Sequence, residues 1–443
     1  MAFKTFKDVE EYLDSFSYID KSNPPGLIRK SRLERMINLL SFIGNPQTSF
    51  KAIHIAGSKG KGSTATFTSV LLEAKGYKTG LYLSPHVSNF RERFTVAGKF
   101  FSDDFYIEVA NKLSLLINGF KNDKSLGQEN PTTFEMYTAY AYLLFKEYGC
   151  EYCVIETGLG GRLDATNTLN SIAAVITPIE LEHTSVLGDT IEKIAIEKSK
   201  IIKPSQFVFS SKQEKNVLQL LKKECLEKGS TLFTFDDYIQ SFSYNITNKG
   251  EVLSFKIKDG QEYSLQLSVF GEKQAENVAL SILIASKLGF ISSNGIKKIE
   301  SLIIKARFMR LHLDQTDIVI DVAHTQKSIL DTTNTFRSIY HDDTTLIFGA
   351  VEGKDITHML KILVANFSHI IISRPGTFKK SNIDEIYNIA KEIDSKIDII
   401  VIEDNKEALN KALERKKPIL ITGSFYLAGP MINILEDEYG IKC

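Results

Sequence analysis

The strongest constraint on this chain lies in Gly57-Ser58-Lys59-Gly60-Lys61-Gly62-Ser63, which follows the apolar run KAIHIA and precedes a stretch of helical periodicity from Ser63 to Lys75. A strand, a glycine-rich turn and a helix in that order put backbone N–H groups at a helix start, where amides and the helix dipole hold an anion. Glycines let those amides approach a phosphate, Lys61 reaches the outer phosphates, and the Ser63 or Thr64 hydroxyl can approach Mg²⁺. A tight strand-to-helix turn that tolerates glycine would give the same string without a ligand. Three glycines in six residues around a lysine, in this context, favour the nucleotide site. The ordinary phosphate loop has Ser or Thr directly after its lysine, and here Gly62 intervenes.

Such a turn needs a parallel sheet, and the rest of the chain supplies one. TGLYLS, CVIET and IAAVIT read as strands, while the stretch from Phe134 to Tyr148 and IEKIAIEKSKII, halted by Pro204, read as helices. FSYNITNKGEVLSFKI and EYSLQLSVFG alternate as antiparallel strands do. After helical stretches at Gln274 to Leu288 and Ser293 to Ile304, strand–helix alternation restarts at DIVIDVAH and continues through TTLIFGA, HIIIS, IDIIVI and PILIT. The fold class is therefore α/β: an N-terminal domain, 1–304, with the phosphate loop, and a smaller Rossmann-like C-terminal domain, 305–443. A length of 443 residues exceeds what one core usually supports, in keeping with that division.

Composition excludes several function classes. A hydrophobic share of 43% and a charged share of 24% are those of a globular chain, which rules out wholesale disorder. The 54 basic and 54 acidic residues cancel, so no global attraction draws the chain to nucleic acid or an anionic membrane, and any anion is bound locally. The start, MAFKTFKDVEEYL, has no signal-peptide core and no later run has membrane-span length, so a cytoplasmic protein is expected. No extended apolar interface stretch stands out, which predicts a monomer. Cys150 and Cys153 form a C-x-x-C that runs into CVIE and reads as buried thiols at a strand start; Cys225 and Cys443 are isolated.

Several strings recur in a recognisable order: VEEYLDS, LERMINLL and GNPQ before HIAGSKGKGST, then TGLYLSPHV, RERF, ETGLGGRLDATN, ITPIELEHTSVLGDTIEKIAIEKSKIIKP, GEKQAEN, DVAH, FGAVEGKD and TGSFYL. Together they resemble the folylpolyglutamate synthase and dihydrofolate synthase family, within the ATP-dependent Mur-type amide ligases, over nearly the whole chain. The resemblance implies an N-terminal Mur-ligase-like domain and ATP held by Gly57, Gly60, Lys61, Gly62, Ser63, Asn277, Arg307 and Asp321. It implies two Mg²⁺ ions, the first on Ser84, Glu156 and His183, and catalytic roles for Lys61, His183 and Lys198, the last in carbamylated form. Thr132, Phe134 and Asp164 would lie at the pterin-bearing substrate, with His324 and Ser424 near incoming L-glutamate. Partners would be ATP, L-glutamate and folate or dihydropteroate.

Read alone, each residue has a plainer explanation. Ser84 before Pro85 suits a turn, Glu156 a strand end, His183 a helix cap, and Lys198 a solvated helix position; Asn277 suits a polar helix face, Arg307 a linker, Asp321 a cap, His324 a loop and Ser424 a turn. Glycines 158, 160 and 161 mark a loop whose backbone passes close to a ligand or neighbouring segment, with Arg162 and Asp164 either an ion pair or substrate-positioning groups.

Departures from the family pattern cluster at the substrate rim. Extra sequence, KSNPPGLIRKSR, precedes Leu33, and Lys30-Ser31-Arg32 stand where the family has Asp-Leu-Gly. Ser58-Lys59 replace Thr-Asn, Lys273 replaces histidine, Gly353 replaces an acid before Lys354, and the second-domain loop reads Asp321-Val322-Ala323-His324-Thr325-Gln326. Val322 in place of glycine would crowd a backbone that should approach a ligand. Three readings follow: a folylpolyglutamate synthase, with or without a second activity on dihydropteroate, a related ligase for another carboxylate, and a nucleotide-binding paralogue without turnover. A phosphotransferase would need no amino-acid site.

Overall fold

The computed structural model describes residues 2–17, 29–247, 250–258, 260–341, 343–376 and 380–441. Most of the extra sequence before Leu33, and Cys443, lie outside them. Strand β1 (Lys51–Ala56) buries every residue after Lys51, the pattern of a strand covered on both faces. It lies within a seven-stranded sheet with β2 (Thr79–Tyr82), β3 (Phe94–Val96), β4 (Tyr152–Glu156), β5 (Ala173–Ile176), β6 (Phe207–Ser210) and β7 (Thr231–Thr234), in the order β3-β2-β4-β1-β5-β6-β7. All neighbours are parallel except β2 and β3. The glycine-rich turn leaves the carboxyl end of β1 between β4 and β5, where open α/β sheets bind ligands.

One face of this sheet packs on the helix Thr133–Tyr148, whose Tyr140, Tyr142 and Phe145 are buried. The other packs on Lys61–Ala74, which lies against Glu272–Lys287; Ser281 Oγ donates to Thr64 O at 3.3 Å. Cys150 and Cys153 are free and buried at the start of β4. Strands β8 (Ile239–Thr247), β9 (Gly250–Ile257) and β10 (Glu262–Leu267) form the antiparallel sheet their alternation predicted. The helix Ser293–Glu300 stops four residues short of Ile304.

The second sheet comprises β11 (Met309–Leu313), β12 (Thr316–Ile320), β13 (Thr345–Phe348), β14 (His369–Ile372), β15 (Asp398–Val401) and β16 (Ile419–Thr422), ordered β11-β12-β16-β13-β14-β15. Five strands are parallel, as the sequence implies; β11, which pairs antiparallel with β12, is not among the strands the sequence predicts. Its Arg310 and His312 weaken the apolar signal, and the tight turn runs through Asp314 at φ +53°. Leu302 and Ile304 pack on the first body's core, whereas Ala306 and Phe308 belong to the second.

The two bodies meet directly. Lys327 pairs with Glu180 at 2.7 Å, Asn433 Nδ2 donates to Ser88 O at 3.4 Å, and Lys305 bridges Ser88 Oγ (3.3 Å) and Glu436 (3.1 Å). Gly429 of the helix Phe425–Tyr439 lies so close to Val87 that a Cβ there would fall 2.1 Å from the Val87 carbonyl oxygen.

Candidate active site between the two sheets

The phosphate loop is shaped by its neighbours. Gly57 runs at φ +155°, and a Cβ on it would sit 1.9 Å from Thr177 Oγ1; Gly60 runs at φ +77° with Asn277 Oδ1 2.6 Å from the same imaginary atom. No other residue fits those positions without displacing its partner. Ser58 and Lys59 donate their N–H groups to Pro178 O at 2.8 and 3.3 Å. The turn is thus fixed to the end of β5, and the N–H groups of Lys61, Gly62 and Ser63 point out of the helix start without an intrahelical acceptor. Thr64 Oγ1 donates to Asn277 Oδ1 at 3.4 Å, which leaves the Ser63 hydroxyl as the one placed for a ligand of this turn.

Glu156 ends β4 beside this loop. It is buried, lies 3.9 Å from Lys61 Nζ, and its Oε2 accepts the Ser84 N–H at 3.0 Å. Burial raises its pKa even though Lys61, the Ser84 amide and Arg307 all pull the other way, so its charge is under-compensated by the protein alone. Ser84 and Glu156 are therefore brought together. His183 reaches the site from the β5 side, at φ +48° ahead of the helix Thr184–Leu187. Loss of hydration and the charges of Lys198, Lys354 and Lys61 hold its pKa down against Glu182, which favours the neutral imidazole a metal requires. Among the described residues no three His, Cys, Asp or Glu side chains cluster as a cage. Mg²⁺ needs none where phosphates and water fill its shell, and a buried, under-compensated carboxylate next to a serine hydroxyl suits it.

Lys198 is not a solvated helix lysine. It is 1% exposed, and its Nζ donates to Gly57 O at 2.6 Å and to Glu182 Oε1 at 2.9 Å. Burial, and secondarily Lys61, bring its pKa down to about 8. Lys59 and Lys354 have pKa values lowered by burial and both feel Glu182, so with Lys61 and Lys198 four lysines share the field of that carboxylate.

The glycine-rich loop after β4 is held by close packing: a Cβ on Gly158 would meet the Phe134 ring at 2.3 Å, and one on Gly161 the Glu197 carbonyl at 2.7 Å. Arg162 pairs with Glu197 at 2.8 Å and not with Asp164. Asp164 is fully buried; its carboxylate accepts from the N–H of Leu159 (2.9 Å) and Thr166 (3.0 Å) and from the Thr166 hydroxyl (2.5 Å). It sets the loop that faces Phe134. Thr132 caps the helix Thr133–Tyr148 in a reciprocal box with Glu135, which is itself locked by a buried ion pair to Arg35 at 2.8 Å.

The second sheet contributes its carboxyl ends. Asp321, after β12, accepts from Phe308 N, Ala323 N and Thr332 Oγ1 at 2.8, 2.8 and 3.0 Å; burial raises its pKa against the pull of Arg307. Arg307 lies over the Phe425 ring at 5.0 Å and its charge reaches Glu156 across the cleft. His324 Nδ1 bonds Val322 O at 2.8 Å, and burial with Lys59 nearby brings its pKa down to about 3. Ser424 is buried and caps the helix Phe425–Tyr439 through the Tyr426 N–H at 3.1 Å. The crowding expected of Val322 does not arise, because its side chain turns into the core with Ala306 and Leu427. Asn277 joins the loop directly, whereas Thr132 and Ser424 act in their own elements as helix caps.

Comparison with known proteins agrees with this arrangement. The Mur ligase middle domain model matches residues 55–285, and the dihydrofolate synthetase C-terminal domain model matches residues 305–434. The dihydrofolate synthase/folylpolyglutamate synthase of Bacillus subtilis is 30% identical over 428 residues, covering 94% of this chain and 97% of that one. The chain belongs to the folylpolyglutamate and dihydrofolate synthase family. It is accordingly an ATP-dependent ligase with the Mur-type N-terminal fold. The folylpolyglutamate synthase of Lacticaseibacillus casei is 28% identical over 442 residues, covering 96% of this chain and 98% of that one. The structure of Mycobacterium tuberculosis folylpolyglutamate synthase complexed with ADP superposes with a TM-score of 0.86 at 26% identity, covering 97% of each chain.

Four groups in the cleft escaped the sequence reading as site residues: Lys59, Glu182, Lys354 and Arg93. Lys59 and Glu182 flank motif residues that were read, and Lys354 lay in a string noted only for its missing acid. Arg93, in RERF, carried no spacing signal that separates it from Arg91.

Proposed function

We propose that this ligase adds L-glutamate to a folate through an acyl phosphate, and accepts dihydropteroate in the same way. The observation that carries the reading is the meeting, at the end of β1, of a built phosphate turn with the buried Glu156–Ser84 pair and with Arg307 from the second body. The turn's amides and Lys61 hold the ATP phosphates and orient the γ-phosphorus toward the acceptor carboxylate. One carboxylate oxygen attacks that phosphorus and ADP leaves, which converts a poor oxide leaving group into phosphate. The glutamate amine then attacks the acyl carbon, loses a proton, and inorganic phosphate departs. The chain provides no covalent nucleophile; it positions groups and stabilises charge.

Ser84, Glu156 and the neutral His183 would hold Mg²⁺, which supplies charge neutralisation at the transferring phosphoryl group when bound. Lys198 supports a second cation site if carbamylated: burial keeps a fraction of its amine neutral near physiological pH, and the free amine is what adds CO₂. Asp321, Arg307 and Asn277 would face ATP, His324 and Ser424 the incoming amino acid, and Phe134 with the Asp164 loop and the Thr132 cap the acceptor's ring system. The chain works as a monomer divided near residue 305, in the cytoplasm, a reading in keeping with its free thiols. Among the described residues no helix is long and apolar enough to cross a membrane.

Retention of Ser84, Glu156, His183 and Lys61 favours turnover over a silent paralogue. ADP release measured with each component omitted tests the reading: release should require Mg-ATP, L-glutamate and a folate together. ADP formed at the same rate without a folate would contradict it.

A further inference from the structure

His54 lies in the central strand β1, three residues before Gly57, and is fully buried. Its strand neighbours are Ile155 of β4 and Ala174 of β5, the two strands that the glycine-rich loop and the short turn Ala165–Thr168 join. That connection crosses β1 on the face of His54, since Ala165 and Leu169 share a core with Ala52 and Tyr142. Thr166 is gripped there from two sides: its carbonyl accepts the Tyr142 hydroxyl at 3.3 Å, and its Oγ1 lies 2.8 Å from His54 Nε2.

The acceptors fix the direction of each proton. The Asp164 carboxylate only accepts, so Thr166 gives its one hydroxyl proton to Asp164 Oδ1 at 2.5 Å. The Thr166 oxygen is left to accept, and His54 is the donor, as the Nε2–H tautomer. Burial, with the charge of Lys203 adding to it, brings the His54 pKa down to about 3, so the ring carries that one proton. Nδ1 finds no hydrogen-bond partner among the described residues. A buried acceptor left without a partner costs about 1–3 kcal/mol, which an apolar side chain of similar size would avoid. What the imidazole supplies against that cost is its Nε2–H.

The line continues through Asp164, whose carboxylate also accepts the N–H of Leu159 at 2.9 Å. Leu159 follows Gly158, which rests on the Phe134 ring, and precedes Gly160 and Gly161, the last of which lies against Lys198. The strand that carries His54 ends in the phosphate turn. We propose that His54 is a positioning residue of the ligase: by donating from β1 to Thr166 it orients that hydroxyl toward Asp164, and so sets the loop between Phe134 and Lys198 at a fixed distance from the phosphate turn. The kinetic consequence rests on the folate reading above; the brace itself does not.

Three full-length variants separate the donor from the bulk of the ring. A glutamine amide reaches to the depth of Nε2, an asparagine amide only to that of Nδ1, and leucine fills the space with no donor. Hydrogen exchange read by mass spectrometry over residues 158–167 needs no substrate. It should quicken in His54→Leu and His54→Asn and stay near wild type in His54→Gln, with exchange over 57–62 unchanged in all three. With Mg-ATP, L-glutamate and tetrahydrofolate, His54→Leu should lose about 10- to 100-fold in kcat/KM for the folate, and the KM for Mg-ATP should stay within about 3-fold. His54→Gln should recover most of that loss. Thr166→Val, which leaves the central strand untouched, should reproduce it, and adding His54→Leu should cost less than about 3-fold more, because both cut one line. If His54→Leu does not fold, Thr166→Val carries both measurements. Equal behaviour of the Leu and Gln variants, exchange over 158–167 unchanged in Thr166→Val, or a rise in the KM for Mg-ATP that matches the folate loss would overturn the assignment. Absence of folate-dependent turnover in wild type would remove the folate reading instead, and exchange alone would then decide the brace.

Discussion

Gly429→Ala isolates the contact between the two bodies. The new Cβ would start 2.1 Å from Val87 O and 3.1 Å from its carbonyl carbon. Unstrained carbon–oxygen contacts begin near 3.4 Å, so the helix Phe425–Tyr439 must recede by roughly 1.3 Å. The loop cannot yield in its place, since Val87 N, Ser88 Oγ and Asn89 N are pinned to Glu92 at 2.6, 2.8 and 3.2 Å. Locally the substitution is close to neutral: alanine favours helix over glycine by about 0.5–1 kcal/mol, offset by crowding from the ring of Pro430. The recession carries Ser424, which starts the same helix, and with it the second body's site groups, away from Ser84 and Glu156. A displacement near 1 Å between reacting groups costs about 10²-fold in rate. Folate-dependent ADP release should therefore fall about 100-fold in kcat/KM while the melting temperature moves by only a few degrees. Glu438→Ala, at an exposed position of the same helix, should change neither. Activity of Gly429→Ala within about 3-fold of wild type would refute the reasoning, because the bodies would then work without this apposition.

Other expectations follow from single sites. Lys61→Ala should lose at least about 10²-fold in kcat and remain folded by circular dichroism, and normal Mg-ATP dependence in that variant would sink the phosphate-turn assignment. Arg35→Met leaves the Glu135 carboxylate buried without its 2.8 Å partner, and urea unfolding should show a loss of about 3–5 kcal/mol that Arg35→Met with Glu135→Leu largely restores. Glu251 is buried with Oε2 on Gly271 N at 2.7 Å and Oε1 without a hydrogen-bond partner among the described residues, and burial pushes its pKa up to about 7. An acid whose folded pKa is raised destabilises the fold as pH climbs from its unfolded pKa through the folded one, so the stability gain of Glu251→Gln should grow by on the order of 2–3 kcal/mol between about pH 5 and about pH 8. A pH-independent difference between the two proteins would contradict the burial of that charge.

The parts legible in the sequence were those written in local chemistry. The turn after KAIHIA announced itself because glycine, lysine and hydroxyl spacing is set by the backbone it must adopt, and φ values of +155° at Gly57 and +77° at Gly60 bear that out. The parallel strands of the second sheet were legible for the same reason, as continuous apolar runs. Strand β11 was not, since Met309–Leu313 alternates weakly and takes its order from the hairpin with β12. Val322 read as an obstruction because its direction depends on tertiary packing, which turns it into the core. Lys198 shows the same limit: no pattern in IEKSKII distinguishes a lysine that is 1% exposed and bonded to Gly57 O from its solvated neighbours.

The most direct test is the mass of the product. Purified protein with Mg-ATP, L-glutamate and monoglutamyl tetrahydrofolate should yield folate heavier by one glutamyl unit, with one ADP and one inorganic phosphate formed per amide. ADP released with the folate unchanged in mass, or a stable phosphorylated folate as the end product, would contradict ligation through an acyl phosphate.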